Sequence, residues 1–207
     1  NPHYKGNPEL ETNQSAPIPS EQSTSLWIER LPPTLTYHEL LGAIQDVGRV
    51  YASVISGPNA AHPTSAAKVV FFTRRAADRF LARYGRGGSL GYFPMGEHHR
   101  GIVVRNNILT RESERPGFVT RVLLVKGPRD VVTVEALRQL FRSKFVFQEE
   151  KVVDHGIRII STMTSASQLG SAGIVSTGFG SFRCQAEWGW KVIRMELAEK
   201  GVQVRYG

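Results

Sequence analysis

The chain has a single cysteine, Cys184, in 207 residues. No intrachain disulfide can form, which suits a reducing compartment and sets aside the small disulfide-stapled scaffolds. No apolar run approaches the roughly 18 residues of a membrane span, and the N-terminal stretch holds no apolar core of a signal peptide. A nucleus or cytoplasm location is the expectation, although the absence of an initial Met leaves room for preceding segments. Histidines are scattered. His98, His99 and Cys184 have no spacing that would assemble a metal site, and His155 with Cys184 makes no nucleophile pair. A GxxxxGK[ST] phosphate loop is missing. Gly178-x-Gly180-x-x-Arg183 lacks the third glycine of a dinucleotide loop, and no paired acids stand in a recognisable motif. An enzyme is not expected, nor any cofactor.

Acidic charge is also in short supply. Lys and Arg number 26 against 18 Asp and Glu, a net charge of +8 and a pI near 9.9. The excess is shared: residues 25–107 hold ten cations and five acids, and residues 120–207 hold thirteen and eight. An anionic partner such as nucleic acid is favoured over a membrane surface.

The pattern of apolar residues repeats. Residues 1–24 are rich in Asn, Pro, Ser, Gln and Glu and read as a disordered arm. A strand at Leu26–Leu31 is stopped by Pro32-Pro33. Thr36-x-x-Glu39 is a capping box, and Leu40, Leu41, Ile44 and Val47 make one helical face up to Gly48. Strands follow at Val50–Ile55 and Ala66–Phe72. The next helix carries the stripe Ala76, Ala77, Phe80, Leu81 and Tyr84. A Gly-rich loop, Arg86–Arg100, leads to a last strand at Ile102–Arg105. After a short linker at 108–119 the order returns: strand Arg121–Val125, a helix capped by Thr133, strand Glu149–His155, a Ser/Thr/Gly-rich loop at Ser161–Gly173 expected to be mobile, strand Val175–Cys184, helix Ala186–Ala198 and strand Val202–Tyr206. The spacings predict an α+β chain of two ferredoxin-like β-α-β-β-α-β domains, 25–107 and 120–207, each a four-stranded antiparallel sheet with two helices on one face.

The motif that draws the eye is Thr177-Gly-Phe-Gly-Ser-Phe-Arg-Cys184. Read as a strand, alternation puts Gly180, Phe182 and Cys184 on one face and Phe179, Ser181 and Arg183 on the other. The second face would offer a ring and a guanidinium to bases and phosphates.

Two such units, with this motif on a third strand, resemble tandem RNA recognition motifs, including fungal two-motif proteins, over residues 25–207. The resemblance implies base stacking by aromatics on the first and third strands. Residue by residue it is partial. Gly178, Phe179 and Gly180 match the third-strand octamer, with Ser181 at its second stacking position. Val122–Gly127 stands for the first-strand hexamer, with Leu123 where a ring is expected. In the first domain Trp27 takes the stacking position, Ala66 and Lys68 stand where the third-strand rings would be, and Tyr51 is a second candidate ring. Each sheet keeps one ring, Trp27 and Phe179. The resemblance thus implies single-stranded RNA as partner, in post-transcriptional regulation or processing. The site residues expected are Trp27, Tyr51, Lys68, Arg105, Arg121, Lys126, Phe179, Ser181 and Arg183.

The alternative is a protein-interaction module, whose eroded faces bind peptide, one another or a second copy. The peptide-binding subtype with an acidic first helix and an Arg-x-Phe is disfavoured. Glu135 is offset by Arg138, Arg142 and Lys144, and neither Arg86–Phe93 nor Glu199–Val202 holds Arg-x-Phe.

Overall fold

The computed structural model describes residues 14–113, 119–159 and 171–207. They fall into two compact units, each built on one antiparallel sheet.

Along the first half of the chain the order is β1 (Ser25–Leu31), α1 (Tyr37–Ala43), β2 (Val50–Ser56), β3 (Ser65–Phe71), α2 (Arg74–Tyr84), β4 (Phe93–Met95) and β5 (His99–Arg105). The sheet order is β2-β3-β1-β5-β4. The two central strands, β1 and β3, are therefore the first and third strands of the β-α-β-β-α-β repeat, as in the ferredoxin-like arrangement. The second unit repeats this with β6 (Val122–Pro128), α3 (Val134–Lys144), β7 (Glu149–Ile159), β8 (Ser171–Phe179), α4 (Glu187–Glu196) and β9 (Gln203–Tyr206), in the order β7-β8-β6-β9. Both units thus have the expected α+β fold.

Alternation builds each core. Leu26 and Ile28 of β1 and Ala67, Val69 and Phe71 of β3 are buried, as are Ala76, Ala77, Phe80 and Tyr84 of α2. Rings lock the layer: Phe80 lies 5.5 Å from Phe71 and 5.2 Å from Phe93. A phenylalanine buried this way contributes roughly 1.5–3 kcal/mol. In the second unit Leu123, Val125, Val175, Leu137, Phe141 and Ile193 play the same part. Gly189 lets α4 approach closely, because a Cβ there would lie 3.1 Å from Leu123 and 3.4 Å from Phe141 and Phe179.

The helix starts follow their caps. Glu39 accepts from the Thr36 amide at 2.8 Å while Thr36 Oγ1 accepts from the Glu39 amide at 3.2 Å, a reciprocal box. The hydrogen bonds from Thr36 hold the Glu39 carboxyl below its usual pKa. Thr73 and Thr133 accept from the amides of Ala76 and Ala136 at 3.2 and 3.1 Å.

Four expectations need correction. Residues 14–24, taken as part of a disordered arm, lie along residues 106–113. The Ala16 amide donates to the Leu109 carbonyl and that of Thr24 to the Thr110 carbonyl, each at 2.9 Å, and Ser23 and Thr24 are buried. Polar composition hid this because the partners are backbone groups. The rest of the arm, 1–13, lies outside the described residues. Second, α1 stops at Ala43, short of the expected Ile44 and Val47 turn, and the chain passes through positive φ at Asp46 and Gly48. Third, the Arg86–Arg100 loop contains a hairpin, with Phe93–Met95 paired to His99–Gly101. Pro94 disguised it, yet proline is tolerated on an edge strand. Fourth, β8 spans Ser171–Phe179, and a π turn at Phe182–Ala186 runs into α4. The strand expected to reach Cys184 therefore ends at Phe179. The Ser161–Gly173 loop lies outside the described residues up to 170, and its last three residues belong to β8.

Candidate nucleic-acid interface

Pairing register sorts every strand residue onto the helix side of its sheet or the outer side. In the first unit Trp27 pairs with Lys68 on one flank and Val104 on the other, and Lys68 pairs with Val54. Leu26 and Ile28, the neighbours of Trp27, are fully buried, so alternation sends Trp27 outward. Val54, Lys68, Trp27 and Val104 thus form one continuous row across four strands on the outer face. Val54 and Val104 are 53% and 41% exposed, and Trp27 and Lys68 are half-buried. Ser56 pairs with Ala66 on one side of the sheet, and Glu29 of β1 with Ile102 of β5 on the other. Trp27 Nε1 donates to Glu29 Oε1 at 3.2 Å, which fixes one end of the indole.

Lys68 is the electrostatic centre of this face. Burial pushes its ammonium pKa down, and no ion pair or hydrogen bond reaches it among the described residues. A partly desolvated cation without a counter-charge is unfavourable by itself, and an incoming anion relieves it. Flanked by Trp27 and Val54, it stands where a phosphate could be held beside a stacked base.

The other first-unit candidates lie elsewhere. Tyr51 sits at a bulge in β2 and packs edge-on against buried Phe72, ring centres 5.2 Å apart. Arg105 pairs with Leu26 and so belongs to the helix side. Its guanidinium donates to Asp78 of α2 at 2.9 Å and to the Ser23 carbonyl at 3.3 Å. It is a structural contact and not part of the outer face.

The second unit departs further. Phe179 is fully buried, with its ring 5.5 Å from Phe141, 6.3 Å from Phe145 and 5.7 Å from Phe147. The expectation of an outward stacking ring fails because β8 presents Val175, Thr177 and Phe179 to the helices and Ile174, Ser176 and Gly178 outward. A one-residue slip reverses every side chain. The same slip misplaces Leu123, which is buried, while Leu124 is the outward residue. Leu124 pairs with Ser176 and Arg205, and Ser176 with Val153, giving a row of Val153, Ser176, Leu124 and Arg205. His155 joins this face by its 2.8 Å contact with Ser176 Oγ.

Lys126 is outward, between Ile174 and Gln203. Arg121 is taken up by Glu150 at 2.8 Å and the Phe179 carbonyl at 2.7 Å, and is nearly buried. Ser181 lies beyond the strand, at the start of the π turn. Its amide faces Gln185 Oε1 at 3.3 Å, and its buried hydroxyl has no partner among the described residues. The side chain of Arg183 lies outside the described residues. The structure therefore brings Trp27 and Lys68 together and leaves Lys126 alone on the other sheet. Val54, Val104, Leu124, Val153 and Arg205 were missed. Superposing the two repeats on Leu26-Trp27-Ile28 and Leu123-Leu124-Val125 would have revealed Leu124.

Among the described residues no group of three His, Cys, Asp or Glu could hold a metal, and no helix is long and apolar enough to cross a membrane.

No family model matches the chain, and no curated protein does either. Among solved structures, RNA recognition domains 1 and 2 of Sex-lethal from Drosophila melanogaster match with 15% identity and a TM-score of 0.30, over 89% of this chain and 99% of that one. The first two RRM domains of a yeast poly(U)-binding protein match with 16% identity and a TM-score of 0.32, over 88% and 98%. The three N-terminal RNA-binding domains of a yeast splicing factor match with 10% identity and a TM-score of 0.32, over 89% and 63%. At those scores the likeness adds no functional argument, and the fold assignment rests on strand order alone.

Proposed function

We propose that this chain is a single-stranded RNA-binding protein of the tandem RNA recognition motif kind, and that the outer sheet face of its first unit carries the main contact. One observation supports this above the rest: Trp27 and the ammonium of Lys68, without a counter-charge among the described residues, stand side by side on the outer face of the sheet. A base stacks on the indole, and the ammonium takes the adjoining phosphate. The exposed Val54 and Val104 extend the apolar floor on either side. Any base has a face to stack, so this pair alone gives little sequence preference. The second unit, with Leu124 in place of a ring, contributes charge through Lys126 and Arg205. A role in post-transcriptional regulation or processing would follow from such binding.

The test is the affinity of the parent chain and Trp27→Ala for a randomised single-stranded RNA 10-mer pool at low salt. Loss of one stacking contact is expected to weaken binding roughly 5- to 150-fold, the equivalent of about 1–3 kcal/mol. Equal affinities for parent and variant would refute the sheet-face reading. A parent without RNA affinity would favour the protein-interaction alternative, for which the apolar row of Val153 and Leu124 is the surface on offer.

A further inference from the structure

On the opposite side of the first unit, α2 carries Arg74, Arg75, Arg79 and Arg83 in eleven residues, with Asp78 as its one acid and no lysine. Its apolar face, Ala76, Ala77, Phe80 and Tyr84, is buried against the sheet. All four arginines are exposed. Arg75, Arg79 and Arg83 follow one another at i, i+4 and i+8, so they line one side of the helix over about 12 Å. Ala82 lies beside them and keeps the floor of the groove low, with Arg74, Asp78 and Glu112 at its border. Arg86 follows just past the helix end, which puts five of the ten cations of residues 25–107 in residues 74–86.

The charge is not balanced locally. Asp78 is already held by Arg74 at 3.1 Å and by Arg105 at 2.9 Å. Arg75, Arg79 and Arg86 have no ion pair or hydrogen bond among the described residues, and Arg83 lies over the Tyr84 ring. Such a helix works against its own stability. Like charges at i, i+4 repel, and Arg74 and Arg75 occupy the first turn, where the helix dipole favours acids. The corresponding helix α4 is built the ordinary way, with Glu187 in its first turn and Arg194 in its last. Arginine in place of lysine throughout suits phosphate, since the planar fork binds two oxygens at once.

From this stripe we infer that α2 is a second RNA-binding face, which takes the phosphate backbone of a strand extending past the sheet site, without reading its bases. The inference rests on RNA being the ligand, but not on Trp27.

The experiment compares 8-nucleotide and 24-nucleotide single-stranded RNAs of one repeated sequence over a salt series, using the full chain. In the triple variant Arg75→Gln, Arg79→Gln, Arg83→Gln, affinity for the 24-mer at 0.1 M salt is expected to fall at least about tenfold. The slope of log affinity against log salt should drop by about two, at ~0.7 per lost phosphate contact. The 8-mer should bind as before, and the variant should melt no lower than the parent because repulsion has been removed. The corresponding triple Lys variant should keep the slope. Unchanged 24-mer affinity and slope in the Gln variant would overturn the proposal. So would dependence on these arginines for sedimentation with phosphatidylserine vesicles while 24-mer binding is untouched. Trp27→Ala is expected to weaken both strands equally, so a failure there, with the stripe effect intact, would count against the sheet site alone.

Discussion

The two units use one frame in different ways. Strand pairing equates Trp27 with Leu124, Lys68 with Ser176, Val54 with Val153 and Val104 with Arg205 on the outer faces. On the helix sides the same registers equate Leu26 with Leu123 and Phe71 with Phe179. These inward pairs are apolar in both units, and a phenylalanine closes the third strand of both cores. The outward positions have changed in size, charge and aromaticity. The frame therefore depends on the inner set, and any difference in binding between the two sheet faces must come from the outer one. An aromatic residue near a glycine on the third strand says nothing about binding until its side of the sheet is known.

The largest effect that would test this division is in the second core. Phe179→Ala removes a ring enclosed by Phe141, Phe145 and Phe147, and is expected to destabilise that unit by about 3–5 kcal/mol in thermal or denaturant unfolding. If the variant unfolds like the parent, Phe179 is not a core residue and the comparison collapses. Leu124→Trp should sharpen it from the other side. A ring placed at the position equivalent to Trp27 is expected to gain up to about 1–3 kcal/mol of single-stranded RNA affinity, read by fluorescence anisotropy. An unchanged affinity would mean that a ring at this row is not enough.

Lys68→Met separates stability from binding. It removes a cation that burial disfavours, so the first unit should gain up to about 1 kcal/mol while the salt slope of RNA binding falls by about 0.7. The pH dependence has a definite sign. With its folded pKa below the unfolded value of 10.5, the parent carries the penalty while Lys68 is charged. It should recover stability relative to the variant as pH rises through the folded pKa.

The smallest effect expected is in the capping box. Thr36→Ala should cost about 1 kcal/mol at neutral pH. Because Glu39 has its pKa lowered in the folded state, its share is present above the unfolded carboxyl's pKa and lost as pH falls through the lower folded one. The parent-to-variant gap in melting temperature should therefore narrow in acid.

Much of the frame was legible in the sequence for simple reasons. Thr36-x-x-Glu39, Thr73 and Thr133 are local hydrogen-bonding signals, and the stripe of Ala76, Ala77, Phe80 and Tyr84 is a helical period. Trp27 was legible because Leu26 and Ile28 bracket it with core residues. Phe179 was not. Gly178, Gly180 and Ser181 show no apolar alternation to fix register, and the strand ends at Phe179, just before the π turn. The roles of Arg105 and Arg121 depend on Asp78 and Glu150, each more than 25 residues distant in sequence. No local pattern signals such pairs. The packing of residues 14–24 on 106–113 is carried largely by backbone groups, and composition is blind to these.

The central claim is that a ring on the outer face binds and a ring on the inner face holds the core. It is tested most directly by titrating the randomised single-stranded RNA pool into the parent, Trp27→Ala and Leu124→Ala, with the thermal midpoint of each recorded alongside. The expected result is a roughly 5- to 150-fold loss for Trp27→Ala at a nearly unchanged midpoint, against a several-fold smaller loss for Leu124→Ala. Equal affinities for all three, or a loss in Trp27→Ala that tracks unfolding of the first unit, would contradict it.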